Sequence, residues 1–489
     1  MGLHRPRPLL LVTAAALLLG TAAATSATAV AQPQRATATH AAWQPVPDGV
    51  PMSYVVNTAA DPGQILRAER AISDARGTVL QVWSQIGVIV VHSTHASFRD
   101  DLLASTFGGA VESVGATRTV AVTEGTPAAA SAVSGGAMAV NATTIGDATQ
   151  ASSALDPREA EQWDMAQIKA DQAHAITDGS PNVLVGVLDS GVDDAHPDLA
   201  PNFDAADSVS CQNAGVPNQT PANWRPTTSG HGTHVAGTIA AARNGIGIVG
   251  VAPGVRIASV KVVNDDGFIY PEYAICGFMW AGMHHMDVTN NSYFIDPWYY
   301  WCSDGADQQA GKEAVWRAVR WSEARGVVSA AAAGNENFDL ANKTTDTRSP
   351  DDAPAITRPI NNDCLDIPTE LPGVATAAST TRTVTKSSFS NYGLGVIDVA
   401  APGSSVLSTW PGGGYVLLSG TSMASPHVAG VLALLKSTHP HATPAKLLSL
   451  LRQEADDLAC PVADARCTGT TADNAFFGEG IADALAAVS

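Results

Sequence analysis

The chain has 489 residues, of which 45% are apolar and 15% charged, and its formal net charge is −19. That length suggests two or three structural units, and the apolar share excludes general disorder. Nucleic acids and anionic membranes are disfavoured as partners, because both attract basic patches. The acidic balance suits a secreted, soluble protein that charge repulsion keeps monomeric.

The N-terminus indicates the compartment. A short basic segment, residues 4–7, precedes the uncharged apolar run 9–24, and the small residues 29–31 follow. This pattern predicts a secretory signal peptide over residues 1–31 and an extracellular location. A membrane anchor is the alternative, but it needs about 20 apolar residues and no cleavage site.

Residues 32–123 are expected to form a separate unit with a core over 52–123. Strand and helix patterns alternate there in the order β-α-β-β-α-β, which is the ferredoxin-like arrangement. Residues 124–155 are rich in Ala, Ser, Thr and Gly, and almost uncharged. That composition is typical of a flexible linker that proteases can reach.

Residues 156–489 alternate apolar strands with helices. The predicted strands are 183–188, 257–263 and 326–333, and the predicted helices are 235–242, 275–283 and 428–436. This alternation predicts an α/β fold, in which a parallel central sheet carries helices on both faces. Functional side chains are then expected at the carboxyl ends of the strands.

The chain contains six cysteines, an even number that predicts three disulfides in an exported protein. Cys460 and Cys467 are close in sequence and form the preferred pair. Six cysteines allow 15 pairings, so the other two bonds stay open. Zinc binding is disfavoured because the sequence has no Cys-x-x-Cys pair.

Three distant motifs supply the parts of a nucleophilic site. Ser422 lies at the start of a long apolar helix, His231 opens the motif His-Gly-Thr-His, and Asp189 ends an apolar strand. A serine hydroxyl needs a base that takes its proton and a third group that orients the base. The order Asp, His, Ser is one of three chain orders in which unrelated folds deliver this triad. His234 is interpreted as a packed, hydrogen-bonded histidine.

These motifs, together with the segment Ala332–Asn337, resemble the subtilases, the subtilisin-like serine proteases. The resemblance covers most of residues 160–489. It implies that Asp189, His231 and Ser422 are catalytic, and that Asn335 donates its amide to the oxyanion. Residues 52–123 are similar to the inhibitory propeptide of many subtilases, so the resemblance implies an inactive precursor that is cut within 124–155.

Substrate contacts follow from the same resemblance. A peptide is expected to pair along Gly267 and Phe268 and beside Ser292 by β-augmentation. The segment 293–295 (Tyr-Phe-Ile) departs from the small residues that usually follow that serine, and its bulk would narrow the specificity pocket or reroute its wall. The aromatic run 298–301 is an insertion that forms either a lid or a surface loop pinned by Cys302.

Calcium is the expected cofactor. Asp198 and Asn244 match positions that bind structural calcium in many subtilases, with backbone carbonyls of the loop 242–248 as further oxygen ligands. Asp156 or Glu159 would supply the ligand near the mature N-terminus. A plain tight turn is the alternative.

The function that these patterns favour is a secreted serine endopeptidase with polypeptide substrates and a preference for hydrophobic or small side chains. A kexin-like protease that cuts after basic residues is the alternative, and Asp265, Asp266 and Asp296 are its candidate acids. A non-catalytic subtilase scaffold is a further alternative, but it requires a missing catalytic residue, and all four are present.

Overall fold

The computed structural model describes residues 47–123 and 155–489. The predicted signal peptide, residues 32–46 and all but the last residue of the predicted linker lie outside the described residues. Within the described ranges, no helix has the length and apolar character that crossing a membrane requires.

Residues 47–123 form a four-stranded antiparallel sheet with two helices. The elements are β1 (Met52–Thr58), α1 (Pro62–Asp74), β2 (Thr78–Trp83), β3 (Val88–Ser93), α2 (Phe98–Ala104) and β4 (Val111–Ala116). The strand order in the sheet is β2-β3-β1-β4. Asp61 caps α1, since its carboxylate accepts hydrogen bonds from the N–H groups of Gly63 and Gln64, each at 3.0 Å. The predicted ferredoxin-like order is therefore confirmed.

Residues 155–489 form an α/β unit around a larger sheet. Its strands are β5 (Leu184–Asp189), β6 (Val209–Ser210), β7 (Arg256–Lys261), β8 (Val288–Asn291), β9 (Val328–Ala332), β10 (Thr345–Asp346), β11 (Arg358–Pro359), β12 (Val374–Thr380), β13 (Val399–Pro402), β14 (Val406–Trp410) and β15 (Gly414–Leu418). Its helices are α3 (Trp163–Gln167), α4 (Ala170–Ala173), α5 (Pro221–Trp224), α6 (His231–Ala240), α7 (Pro271–Met283), α8 (Ala306–Glu323), α9 (Thr421–Thr438) and α10 (Pro444–Gln453).

The seven strands of the main sheet are parallel and follow the order β13-β12-β9-β8-β5-β7-β6. Two apolar clusters bury this sheet: one includes α6 and α9, and the other includes α7 and α8. The predicted α/β class with a parallel sheet is confirmed. Because both faces are covered, side chains with chemical roles are left to the ends of the strands.

Two helices begin earlier than the sequence pattern predicts. Helix α6 begins at His231 instead of residue 235, and α9 begins at Thr421 instead of residue 428. The apolar pattern marks only the buried turns, whereas the first turn of each helix carries the polar motif. His231 and Ser422 therefore lie in first turns, where backbone N–H groups have no partner within the helix.

The small unit packs on α8 of the larger one. Asn57 donates its side-chain amide to the carbonyl oxygen of Ala310 at 2.9 Å. Arg317 donates to the carbonyl oxygen of Thr58 at 2.8 Å. At Gly115 the backbones come so close that an added Cβ would lie 2.6 Å from the Asp307 carbonyl oxygen. The two units thus share a tight interface.

All six cysteines pair. The disulfides join Cys211 to Cys276, Cys302 to Cys364, and Cys460 to Cys467. The predicted number and the local pair are confirmed, and the structure supplies the two long-range pairs that the sequence left open.

Candidate active site

Three neighbouring strands end where the candidate catalytic residues lie. Strands β9, β8 and β5 are adjacent and parallel, so their carboxyl ends meet at one edge of the sheet. Asp189 ends β5, Ser292 directly follows β8, and Asn335 follows β9. Adjacent strands are about 4.8 Å apart. Side chains at these three ends can therefore act on one small group.

Asp189 orients His231. The imidazole Nδ1 lies 2.8 Å from Oδ1 and 2.9 Å from Oδ2 of Asp189, a residue that is 1% exposed. The N–H of Ser190 also donates to Oδ1, at 2.7 Å. Burial lowers the pKa of His231, but the charge and hydrogen bond of Asp189 outweigh it, and the pKa is raised above its usual value. The pairing leaves Nε2 free to accept a proton.

The glycines beside His231 allow the close approach. A Cβ at Gly232 would lie 2.5 Å from the Gly191 carbonyl oxygen and 3.1 Å from Asp189. A Cβ at Gly230 would lie 2.6 Å from the ring of Pro411. A larger residue at Gly232 would therefore push the start of the helix away from Asp189, and one at Gly230 would clash with Pro411.

His234 has the packed position that the sequence predicts. It is fully buried, and its Nε2 lies 3.1 and 3.2 Å from the carbonyl oxygens of Val406 and Val416. Burial, with a smaller contribution from the charge of His231, lowers its pKa to about 3. It is therefore neutral at physiological pH and supports the β14–β15 hairpin.

Ser422 lies in the first turn of α9, where it contacts Ser292. The Ser422 hydroxyl donates to the Ser292 carbonyl oxygen at 3.2 Å, and the Ser292 hydroxyl donates to the Ser422 carbonyl oxygen at 2.9 Å. That carbonyl is available because Pro426, four residues on, has no N–H to donate. Among hydrogen bonds of the described residues, none joins Ser422 to His231. Helices α6 and α9 pack against each other, and the Ser422 hydroxyl donates to Ser292 and not to the imidazole.

Asn335 faces the start of the same helix. Its Oδ1 accepts hydrogen bonds from the N–H of Thr421 at 2.8 Å and from the Thr421 hydroxyl at 3.0 Å. This orientation leaves the Nδ2 donors for a ligand. The sequence reasoning missed Thr421, although its place in the first turn of a helix, next to Ser422, was a usable signal.

The candidate substrate-binding residues differ in accessibility. Ser292 lies beside Ser422, as expected. Gly267 and Phe268 form a tight turn, in which the N–H groups of both residues are hydrogen-bonded to Asn264. Since these donors are occupied, a peptide would meet the turn through the half-buried Phe268 ring or a carbonyl. Pairing with a peptide strand at this turn stays a prediction.

The aromatic insertion is neither a lid nor a surface loop. Tyr299, Tyr300 and Trp301 are each at most 2% exposed. Trp301 forms a two-way backbone bridge with Leu365, at 2.8 and 3.1 Å. The sequence could not show this burial, because the partner segment is more than 60 residues away. The insertion is part of the core beneath the site.

The candidate calcium ligands surround one loop. Asp198 is fully buried, and its Oδ2 accepts from the Ile248 N–H at 3.0 Å and the Tyr415 hydroxyl at 2.7 Å. Its Oδ1 has no hydrogen-bond partner among the described residues. Burial and, to a lesser extent, neighbouring Asp156 raise its pKa to about 6. An orphaned oxygen beside a second carboxylate is a set that a hard cation fits.

The remaining candidate ligands are divided. Asp156 contacts the loop 242–248, because its carboxylate accepts from the N–H of Gly245 at 2.8 Å. Asn244 belongs to this loop, and its Oδ1 accepts from the N–H of Ile246 at 3.1 Å. Glu159 instead pairs with Arg243 at 3.1 Å. Over the described ranges, no cluster of three or more His, Cys, Asp or Glu side chains could hold a metal. Backbone carbonyls would therefore have to complete any calcium site.

The chain is similar in sequence to known bacterial proteins. The chain is 36% identical to subtilisin NAT of Bacillus subtilis subsp. natto over 293 residues, which are 60% of this chain and 65% of that protein. It is also 36% identical to a subtilisin of Bacillus pumilus over 293 residues, which are 90% of that protein. The chain thus spans about two thirds of the length of the first of these relatives and nearly all of the second.

Solved structures share the fold. Fervidolysin from Fervidobacterium pennivorans, a keratinolytic enzyme related to subtilisin, matches 91% of this chain and 62% of its own, with a TM-score of 0.63 and 24% identity. The epidermin leader peptide processing serine protease of Staphylococcus aureus matches 90% of this chain and 98% of its own, with a TM-score of 0.63 and 20% identity. The model of the subtilase family matches residues 180–480. The chain belongs to the subtilase family.

Proposed function

We propose that the chain is a secreted serine endopeptidase that hydrolyses peptide bonds through an acyl-enzyme on Ser422. The observation that carries this proposal is the pairing of Asp189 with His231 at 2.8 Å, at the same sheet edge as Ser422 and Asn335. A buried carboxylate is costly unless paired, and this pairing fixes the tautomer that a general base needs.

The proposed reaction has two halves. Nε2 of His231 takes the proton of Ser422 as Oγ attacks the substrate carbonyl carbon, and the amide of Asn335 stabilises the oxyanion. The imidazolium then gives that proton to the leaving amine, which departs and leaves an ester on Ser422. Water repeats the sequence, with His231 as the base, and releases the acid. The charge of Asp189 stabilises the imidazolium in both halves.

Covalent labelling tests the proposal. A fluorophosphonate is expected to modify the mature protein at Ser422 with loss of activity, and Ser422→Ala is expected to remain unlabelled. Mass spectrometry of the labelled peptide identifies the site. Ser425 is the matched control serine, because it lies in the same helix. It is expected to remain unlabelled, since it is buried and its hydroxyl donates to Asn290 at 2.7 Å. Labelling that persists in Ser422→Ala would contradict the proposal.

The precursor proposal concerns residues 32–123. This unit is proposed as an inhibitory propeptide that follows the signal peptide 1–31 and is cut off within residues 124–155. Its support is the docked ferredoxin-like unit, which buries backbone and side chains against α7 and α8. N-terminal sequencing of the secreted protein would locate the cut, and an N-terminus before residue 124 would contradict it.

The proposal favours small or hydrophobic side chains over basic ones. Of the acids that a kexin-like protease would use, Asp265 lies 3.4 Å from Lys261 and Asp296 is buried on the N–H of Ile269. Asp296 is thus engaged in the interior, whereas the side chain of Asp265 is 60% exposed and the third acid, Asp266, is half-buried. A non-catalytic scaffold would lack at least one catalytic residue, but the sequence contains all four candidates. Cleavage of a peptide library decides, since a strict demand for Arg or Lys would favour the kexin-like alternative.

Calcium is proposed as a structural ion held by Asp198, Asp156 and Asn244 with loop carbonyls. It would offset the charge of two carboxylates that now share a buried site. Chelation is expected to lower the melting temperature by roughly 5 °C, since a ligand at about 100 times its Kd stabilises by about 2.7 kcal/mol.

Asp198→Asn is expected to abolish this dependence on calcium, whereas Asp171→Asn, at an exposed acid, is expected to retain it. Scanning calorimetry with calcium and with a chelator measures both variants. A melting temperature of the native protein that is unaffected by chelation would contradict the calcium proposal.

A further inference from the structure

Two segments flank the candidate nucleophile, and the gap is defined as the space between these two walls. Residues 292–295 follow β8 and residues 333–336 follow β9, and these strands are adjacent and parallel. Ser292 contacts Ser422 on one side, and Asn335 contacts Thr421 on the other. Because ligands of parallel sheets bind outside the carboxyl ends of the strands, we assign this gap to the substrate side chain that precedes the scissile bond.

Tyr299 spans the gap from wall to wall. Its ring centroid lies 4.9 Å from that of Phe294, on the first wall. Its hydroxyl donates to the carboxylate of Glu336, on the second wall, and accepts from the side-chain amide of Asn391 at 2.8 Å. A Cβ on Gly334 would lie only 2.3 Å from the hydroxyl. At 1% exposure, the ring fills space instead of lining it.

The backbone around Tyr299 is fixed on both sides. Its N–H donates to the hydroxyl of Ser349 at 2.7 Å. The indole of Trp301 donates to the carbonyl oxygen of Ile295 at 2.8 Å, which ties the insertion to the first wall. The disulfide Cys302–Cys364 closes the far end. A side chain held by so many bonds does not swing aside for a substrate.

We propose that Tyr299 is a specificity-determining residue that restricts the site to polypeptides with a small residue (Gly, Ala or Ser) before the scissile bond. This inference rests on the proposed endopeptidase function and names its substrate class. Larger side chains would have to share the gap with a fixed ring, and close-packed interiors tolerate such overlap poorly. One methylene group in a specificity pocket already changes rates by about 10- to 200-fold.

Two peptides that differ only at the residue before the scissile bond test the native enzyme. Cleavage after alanine is expected to exceed cleavage after phenylalanine in kcat/KM by at least about 100-fold. Fluorophosphonate labelling of Ser422 runs in parallel. An unlabelled, inactive protein would overturn the proposed function. A labelled enzyme that cleaves both peptides equally would overturn only the role of Tyr299.

Variants then assign the selectivity to one ring. Tyr299→Ala is expected to raise cleavage after phenylalanine relative to alanine by at least about tenfold, because it removes the ring from the gap. Tyr299→Phe keeps the ring and is expected to keep the native preference, even with lower stability. Tyr299→Leu provides an intermediate volume if the alanine variant does not fold.

Tyr300→Ala is the matched control. Tyr300 is an equally buried neighbour, but it packs beside Lys343 and Phe338 instead of Gly334. It is expected to leave the preference for alanine unchanged. If Tyr300→Ala admits phenylalanine as well as Tyr299→Ala does, general loosening explains the result and the proposal fails. The proposal also fails if both Tyr299→Ala and Tyr299→Leu fold and retain the native preference.

Discussion

Replacing Asp189 by asparagine is expected to lower kcat about 10,000-fold without unfolding the protein. Oδ1 of Asp189 accepts from both Ser190 N–H and His231 Nδ1, while Oδ2 also faces Nδ1. Asparagine has one acceptor oxygen, which the fixed N–H of Ser190 would retain. Its NH₂ group would then face Nδ1 and select the tautomer with a proton on Nε2, which cannot take the Ser422 proton.

The pH profile of the same variant gives a second readout. The proposed base, His231, must be neutral to act, so kcat/KM of the native protein is expected to fall as the pH drops through the raised pKa of His231. Without the charge of Asp189 the pKa of the imidazole falls, so the acid limb of the remaining activity should move to lower pH.

Asp193→Asn is the control for this prediction. Asp193 follows β5 in the same loop, but its carboxylate accepts from the N–H groups of Ala195 and Gly412, at 3.1 and 2.8 Å, and not from His231. Its activity should stay within about threefold of the native value. An Asp189→Asn enzyme with an unchanged acid limb, or with more than a tenth of native turnover, would contradict the role of Asp189.

The sequence predicted those parts of the site that depend on local patterns along the chain, and not those that depend on contacts between residues distant in sequence. Asp189 and Asn335 were predictable, because apolar runs locate the buried strands and the parallel sheet places functional groups at their carboxyl ends. His231 and Ser422 were predictable as motifs. The first turns of α6 and α9 were not, since polar residues at helix starts lack the apolar period by which helices are recognised.

The aromatic insertion marks the opposite limit. The sequence left a lid and a surface loop pinned by Cys302 equally open, and no local pattern indicates that Tyr299 lies under Gly334. Its burial depends on Leu365, Asn391 and a disulfide to Cys364, all distant in sequence. The Cys460–Cys467 disulfide was predictable because the two cysteines are close together in the sequence. The partners of the other four cysteines were not, since distance along the chain does not choose among their possible pairings.

Arg118 gives the second large expected effect, on the docking of the small unit. Its guanidinium pairs with Glu272 and lies 3.9 Å above the ring of Tyr270. The two charged side chains are 3% and 0% exposed. Burial raises the pKa of Glu272, but Arg118 outweighs it and holds the pKa below its usual value. The carboxylate thus depends on one cation from the other unit.

Arg118→Ala is expected to weaken docking by about 3–5 kcal/mol, because it leaves Glu272 charged and buried without its cation, although the Ser53 hydroxyl still donates to it at 2.9 Å. Hydrogen exchange measures this effect in the Ser422→Ala chain, which should not cut itself. Amide protection in β1–β4 should fall by at least about 100-fold, as 1.4 kcal/mol is tenfold. The further change Glu272→Leu should restore part of the protection, since it removes the orphaned charge.

The pair Arg466–Asp464, with side chains 46% and 30% exposed, provides the contrast. Arg466→Ala should change protection by less than about tenfold, because exposed ion pairs contribute little to stability. Equal protection in Arg118→Ala and Arg466→Ala would show that the small unit docks through its sheet alone. Loss of amide protection in Arg118→Ala alone would mean that the interface depends on a single desolvated charge. A cut within residues 124–155 would leave that charge, Arg118, on the departing unit.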